Sequence, residues 1–461
     1  MTRLFGLGPQ LSVVSGSLPN TILKELGWLG GDKLTELSLE DSSRNFNSSY
    51  TDLTLDFVCR ACPNLLRLSV QESCSTLTDA SVRSIVTHCT KLESLTINWK
   101  NITDVAMDDL SSISTLKQLA LSCCGSVAPP AIVKVLAANQ GLESVDIYID
   151  IYINDSILQC IRDHLPNLRE LSLEIDEEGD QISGDSMFIA ITKSCPLLEK
   201  FDIIGWDFSD DLLLSLSLHC PCLRHLEVAW RHEEEDWVEE EAQEQEQQSM
   251  VTEATLLQFF QACPELHTLE YLPRTATDAS LRALVVHCHQ LEMIGLRDNI
   301  LVTDSGLCDM FKGCHNIRII RIFDCPNITD ESLFTLARYC PEVRTIALEC
   351  PKVTEASLLY IATHCDKLQE LILRHMSVSD DILSILARRC KNLKLIYLIS
   401  CTAVTTAGVL CLINKCRRLT KLLVCECNVH ITPELQLYMR GGYVYEMNKE
   451  RELFVSVTNK L

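Results

Sequence analysis

The stretch Ile328-Thr329-Asp330-Glu331-Ser332-Leu333-Phe334-Thr335-Leu336-Ala337-Arg338-Tyr339-Cys340, continued by Pro341-Glu342-Val343-Arg344-Thr345-Ile346-Ala347-Leu348, holds one complete structural unit. Leu333, Leu336, Ala337 and Cys340 stand at i, i+3, i+4 and i+7, which makes one buried stripe along a helix. Thr329, just ahead of them, is suited to accept a hydrogen bond from the opening amides, and the acid after it favours the positive end of the helix. In Val343-x-x-Ile346-x-Leu348 the last two apolar residues are two apart. That is the strand period, so both point inward while the residues flanking them point out.

Both phrases recur down the chain. The helical spacing returns as Leu281, Leu284, Val285, Cys288 and as Leu358, Ile361, Ala362, Cys365, while Thr precedes an acid again at Thr78, Thr103, Thr277, Thr303 and Thr354. The Cys-Pro opening returns at Cys62-Pro63-Asn64-Leu65 and Cys220-Pro221-Cys222-Leu223. The first apolar position of the strand phrase falls at Leu34, Leu65, Leu92, Leu116, Leu142, Leu168, Leu198, Leu223, Leu266, Leu291, Ile317, Val343, Leu368, Leu393 and Leu419, and the last four steps average 25.5 residues. A unit this small cannot bury its apolar faces alone, so neighbours must stack. Strands then form a parallel sheet on a concave side, and the wider helices a convex one.

These residues resemble the cysteine-containing leucine-rich repeat of F-box/LRR proteins. The resemblance covers roughly Leu34 to Met439 and implies an α/β horseshoe solenoid of about 15 repeats over 34–439, with an N-terminal cap over 1–33 and a C-terminal cap over 440–461. The step from Leu223 to Leu266 is 43 residues, and its surplus lies in 231–249, whose nine acids mark a solvated insert.

Composition narrows the function. Against 40 lysines and arginines stand 63 acids, a net charge of −23, which repels nucleic acid and anionic membrane surfaces. No run approaches the ~18 apolar residues of a membrane span, so a cytoplasmic or nuclear location is expected. In a chain this long and apolar the 24 cysteines read as reduced thiols that pack as small hydrophobes. Cys59-x-x-Cys62 has no second pair at zinc-site spacing, so neither metal nor cofactor is expected. With no recognisable catalytic motif, the expectation is a binding protein, not an enzyme.

The register identifies the binding surface. Outward positions of the last six strands bring Arg297, Arg321, Phe323, Arg374 and Tyr397 to one face, a candidate protein-partner site in which arginine forks grip an acidic or phosphorylated segment beside an aromatic anchor. The bland alternative is that these arginines neutralise Asp324, Glu349 and Glu370 along the ladder. Earlier repeats put Glu36, Asp146, Glu170, Glu174, Asp202, Glu227 and Glu270 on the same side, which makes that half acidic. The F-box resemblance implies substrate selection for an SCF-type ubiquitin ligase, with its adaptor and cullin as further partners. Leu18-Pro19-Asn20-Thr21-Ile22-Leu23 matches an F-box opening, but only ten residues separate it from Leu34, so the rest of that module is lacking. A stand-alone interaction or inhibitor protein, in the manner of ribonuclease-inhibitor-like repeats, is the rival, because fold does not fix function.

Overall fold

The computed structural model describes residues 33–40, 51–71, 77–122, 126–148, 153–175, 184–206, 208–227 and 251–430, the strands Gln10–Val14, Tyr443–Val444 and Leu453–Val457, and the single residues 182 and 432. The chain divides into two compact units, residues 1–223 with 228–240, and residues 224–227 with 241–461. The acidic insert, the F-box-like phrase and most of both expected caps lie outside the described residues.

In the first unit β1 (Gln10–Val14), β2 (Glu36–Glu40), β3 (Arg67–Gln71), β4 (Ser94–Asn98), β5 (Gln118–Ser122), β6 (Ser144–Tyr148), β7 (Glu170–Glu174) and β8 (Lys200–Ile204) pair in parallel, each with the next. In the second unit the same order runs through β9 (His225–Glu227), β10 (Thr268–Leu272), β11 (Met293–Arg297), β12 (Ile319–Phe323), β13 (Thr345–Glu349), β14 (Glu370–Arg374), β15 (Leu395–Ile399) and β16 (Lys421–Cys425). There β18 (Leu453–Val457) pairs antiparallel with β16 and with β17 (Tyr443–Val444). From β2 to β16 every strand starts two residues after the leading apolar position of its repeat. Inward residues such as Ile320, Ile322, Ile346 and Leu348 are fully buried.

Helices return the chain between successive strands. They include α1 (Asp52–Ala61), α2 (Asp79–His88), α3 (Asp104–Leu110), α4 (Pro129–Ala138), α5 (Asp155–His164), α6 (Ser186–Ser194) and α7 (Asp210–His219) in the first unit. In the second are α8 (Glu253–Ala262), α9 (Asp278–His287), α10 (Asp304–Gly313), α11 (Asp330–Tyr339), α12 (Glu355–His364), α13 (Asp380–Arg389) and α14 (Thr406–Lys415). Threonines 78, 103, 277, 303, 329 and 354 are all N-caps whose hydroxyls accept from a first-turn amide. None of these helices is long and apolar enough to cross a membrane.

The acid after each threonine does more than complement a helix dipole. Asp304 accepts from the Thr329 amide (3.0 Å), from the Thr329 hydroxyl (2.6 Å) and from the Ser332 hydroxyl, all on the next repeat. Asp52 receives Thr78 and Ser81 in the same way, Asp79 receives Thr103, Asp278 receives Thr303, Asp330 receives Thr354 and Asp380 receives Thr405. A carboxylate ladder thus fastens these helix starts to their successors; α4, which opens on Pro129-Pro130, has no acid in its first turn. Where an aspartate receives a threonine cap, the third helical position beside it is small. A Cβ on Gly408 would lie 2.2 Å from Asp380 Oδ1, and one on Gly306 2.4 Å from Asp278 Oδ1.

The helix-closing cysteines, from Cys62 and Cys89 to Cys390 and Cys416, are buried. Their thiols reach back one repeat: Cys195 Sγ donates to the Leu165 carbonyl (3.3 Å) and Cys340 Sγ to the Cys314 carbonyl (3.4 Å). Burial pushes Cys195, Cys263, Cys288, Cys340, Cys365 and Cys390 up to about 12.

Candidate functional site

In the second unit the outward residues of β11–β16 form three registered rows, the first running Met293, Ile319, Thr345, Glu370, Leu395, Lys421. The central row runs Gly295, Arg321, Ala347, Ile372, Tyr397, Leu423, and the edge row begins Arg297, Phe323, Glu349. The edge row ends where the chain turns out of the sheet. Asp298, Asp324, His375, Ser400 and Glu426, each directly after its strand, take φ between 50° and 55°, a left-handed conformation that non-glycine residues seldom adopt. Their amides stay engaged, Asp298 donating to the Phe323 carbonyl (3.2 Å) and Asp324 to that of Glu349 (3.0 Å).

The structure places four of the five sequence-predicted residues in two separate groups. Arg297 and Arg374 both lie over the Phe323 ring, at 5.5 and 5.9 Å from its centroid. Arg374 also reaches Glu349 at 3.4 Å, and His375 Nε2 lies 3.7 Å from the other oxygen of that carboxylate. Burial raises the Glu349 carboxyl above its ordinary value and Arg374 pulls it back down; Asp324 pushes it up and His375 lowers it. Arg321 forms an ion pair with Glu270 of β10, two strands away. The side-chain-free Gly295 stands beside Arg321 in register on the intervening strand. Arg321 thus joins β12 to β10, apart from the Phe323 group. Tyr397 belongs to neither, lying under Lys421, whose Nζ is 5.2 Å from its ring centroid.

Exposure differs from what the register alone suggests. Phe323 is 2% and Tyr397 3% exposed, and Ala347 and Leu423 on the same face are buried too. The physical reason at Phe323 is the two guanidinium groups across its ring. Tyr397 has Ile372 and Leu423 in register on either side. The aromatic residues are therefore a floor, and the half-buried arginines above it are the groups that meet solvent. The arginines pair with Glu349, as the bland alternative anticipates, and with Glu270, which it does not include.

The first unit carries a cluster that sequence reasoning noted only as acidity. Asp146, Ser172 and Asp202 share one row across β6, β7 and β8. Tyr148 Oη donates to Asp202 Oδ2 (2.9 Å), and Lys200 Nζ lies 3.4 Å from the same oxygen. Burial lifts the Asp146 carboxyl to about 6; Lys200 opposes this, and Asp202 and Glu170 add to it. Four acids at outward strand positions, Asp146, Glu170, Glu174 and Asp202, were the available signal; the burial of Asp202 and Glu174 was not. Among the described residues no group of three His, Cys, Asp or Glu side chains converges as metal ligands would.

Strand, N-capped helix and Leu-x-x-Leu-x-Leu repeat, stacked in parallel, define a leucine-rich-repeat protein with a solenoid fold. No family model matches the chain. It is similar to the BTB/POZ domain-containing protein FBL11 of Arabidopsis thaliana, 25% identical over 42% of this chain and 25% of that protein, so it spans about a quarter of the length of this curated relative. Among solved structures, a chain of the yeast Rad7 and Elc1 complex shares the fold, with a TM-score of 0.50 at 16% identity over 84% of each chain.

Proposed function

We infer that the chain is a non-enzymatic protein-recognition scaffold related to the substrate-recognition components of SCF-type ubiquitin ligases. The observation that carries the reading is Phe323 held between Arg297 and Arg374, with Arg321 and Tyr397 on the same strand face. Two guanidinium groups over one apolar floor suit a carboxylate or phosphate on a partner segment. Such a ligand competes with Glu349 for Arg374 and with Glu270 for Arg321, so binding exchanges one charge-assisted pair for another and selects for geometry. Similarity to FBL11, and the occurrence of this fold in a structure of a two-protein complex, support the scaffold reading. The ligase role rests on the F-box/LRR character of the repeats.

The test is affinity purification of the full chain from cells with quantitative mass spectrometry, beside an Arg297→Ala/Arg374→Ala variant. Recovery of an SCF adaptor and cullin with both forms, and of further proteins only with the first, is the expected result. If adaptor and cullin are absent while other proteins depend on the two arginines, the stand-alone interaction or inhibitor reading replaces the ligase role.

A further inference from the structure

The residue directly before each strand alternates in charge along much of the first unit. Glu93, Lys117, Glu143, Arg169 and Glu199 hold these places before β4 to β8. Both cations are ion-paired, Lys117 with Glu93 at 3.0 Å, and Arg169 with Glu199 at 2.5 Å and Glu143 at 3.8 Å. In the second unit Arg318 before β12 answers Glu292 before β11 in the same way (2.5 Å). The alternation then stops, since Arg344, Gln369, Lys394 and Thr420 precede β13 to β16. The last two helix-to-strand turns carry cations alone. Arg388, Arg389, Lys391 and Lys394 lie in residues 388–394, and Lys415, Arg417, Arg418 and Lys421 in residues 415–421, with no acid in either stretch. One turn earlier Asp366 stands where Lys391 does, so the change of sign begins here, in a chain whose net charge is −23.

The two turns are stacked. Arg418 Nη1 donates to Asn392 Oδ1 at 2.7 Å, and the Thr420 and Lys421 amides donate to the Lys394 carbonyl at 2.7 and 3.0 Å. Arg388, Arg389 and Lys415 stand in last helical turns, where a cation complements the helix dipole. Arg388 and Lys391 also close their own helix end, donating to the Ser384 and Ala387 carbonyls. Neither duty extends to Lys394, Arg417 or Arg418. Apart from the half-buried Lys421, all these cations are exposed, and among the described residues they donate only to neutral oxygens. The side chains of Arg389, Lys394 and Arg417 make no hydrogen bond or ion pair there.

We propose that the edge formed by Arg389, Lys394, Lys415, Arg417 and Arg418 docks a short acidic segment of a protein partner. This surface is separate from the strand-face site and does not depend on it. Extent favours a protein segment over nucleic acid. Packed helices lie about 8–10 Å apart, so two stacked turns offer a track for about three extended residues. A nucleic acid runs on past that track, over a chain whose overall charge repels phosphate. At physiological salt the Debye length is about 8 Å, so a short segment responds to the cations beneath it and little to the rest of the chain. The three arginines hold carboxylates in two-point geometry, and the two lysines add point charges on flexible stems.

Fluorescence anisotropy of a labelled hexaglutamate peptide on the full chain tests this. Binding should be saturable, should weaken as salt rises, and should persist in Arg297→Ala/Arg374→Ala, which lacks two strand-face arginines. Adding Arg389→Glu and Arg417→Glu should weaken it roughly tenfold or more, and the neutral Arg389→Gln/Arg417→Gln pair should weaken it less. The same reversals in the parent chain are a second measurement, with circular dichroism confirming that each variant folds. Absence of saturable binding, or binding that the reversals leave unchanged, overturns the assignment. If removing Arg297 and Arg374 abolishes binding while the reversals do not, this edge is refuted and the strand-face reading stands. A labelled hexathymidylate that binds more tightly than the peptide through the same cations also refutes it, in favour of nucleic acid. If the peptide binds only after deletion of Glu233–Gln247, the chain's own acidic insert occupies the edge and the partner assignment falls.

Discussion

Asp380 and Asp381 open the same helix, yet only one of them holds the next repeat. Asp380 Oδ1 accepts from the Thr405 amide at 2.9 Å and Oδ2 from the Thr405 hydroxyl at 2.5 Å, whereas Asp381 is exposed. Both stand in the first turn of α13, so any helix-dipole contribution is common to them and cancels in the comparison. Hydrogen bonds to an ionised group are worth about 1.5–3 kcal/mol each, and two that share one carboxylate do not add fully, so Asp380→Ala should cost about 2–4 kcal/mol. Asp381→Ala should stay within about 0.5 kcal/mol, as surface substitutions do. Urea melts followed by circular dichroism measure the totals. Because a repeat array is held by nearest-neighbour terms, hydrogen exchange should localise the loss to residues 400–425 ahead of the rest. Equal costs for the two variants, or exchange accelerated uniformly along the second unit, would refute the idea that the carboxylate ladder is the fastening between repeats.

Other perturbations follow from the same geometry. Gly408→Ala should destabilise by about 1 kcal/mol or more although alanine is the better helix former, because its Cβ meets Asp380 Oδ1; a stabilised variant in thermal melts would contradict the close approach. Asp146 titrates near 6 in the folded chain against an ordinary value of 3.8, so the folded state binds the extra proton between those pH values, and stability falls as pH rises through that window. Two units of pKa correspond to about 3 kcal/mol as a ceiling. Asp146→Asn should therefore gain about 1–3 kcal/mol at pH 8 and little at pH 4, and a gain that does not vary with pH counts against it. Thiol labelling of the native chain at pH 8 should modify the exposed Cys222 rapidly, and the helix-closing cysteines only on unfolding; fast labelling of Cys340 or Cys365 would contradict their burial.

The repeat made the local elements readable because each carries its own signals. A threonine cap, an i, i+3, i+4, i+7 stripe and a strand pair two apart all lie within one repeat, so strand starts and caps follow from spacing alone. The ladder was less accessible. The acids were read as dipole complements because their true partners, such as Thr329 for Asp304, lie about one repeat away in sequence. A signal for it does exist, since the third helical position after these threonines is small, as at Ser81, Ala106, Ser280, Gly306, Ser332, Ser357 and Gly408, where the incoming carboxylate approaches closely. Exposure of the strand face was not legible, because register says which way a side chain points and not what lies against it. Phe323 and Tyr397 point outward and are nonetheless buried.

That distinction bears on where function can reside in such a scaffold. On the helix side, helix starts are tied to their neighbours by Thr–Asp pairs and helix ends by thiols donating to the preceding repeat, so substitution there is answered by lost stability. Outward strand positions repeat no such contact in every unit, and their composition departs from repeat to repeat: serine and threonine at Ser38, Ser69 and Thr96, carboxylates at Asp146 and Asp202, arginine at Arg321, tyrosine at Tyr397. If this variation were neutral drift under a packing constraint, buried positions would tend toward apolar residues. Instead the buried row of the first unit keeps Ser172 and Asp202, and Asp202 accepts from Tyr148 two strands away. Polar groups buried on this face contribute only where partners satisfy them, so its composition answers to more than stacking.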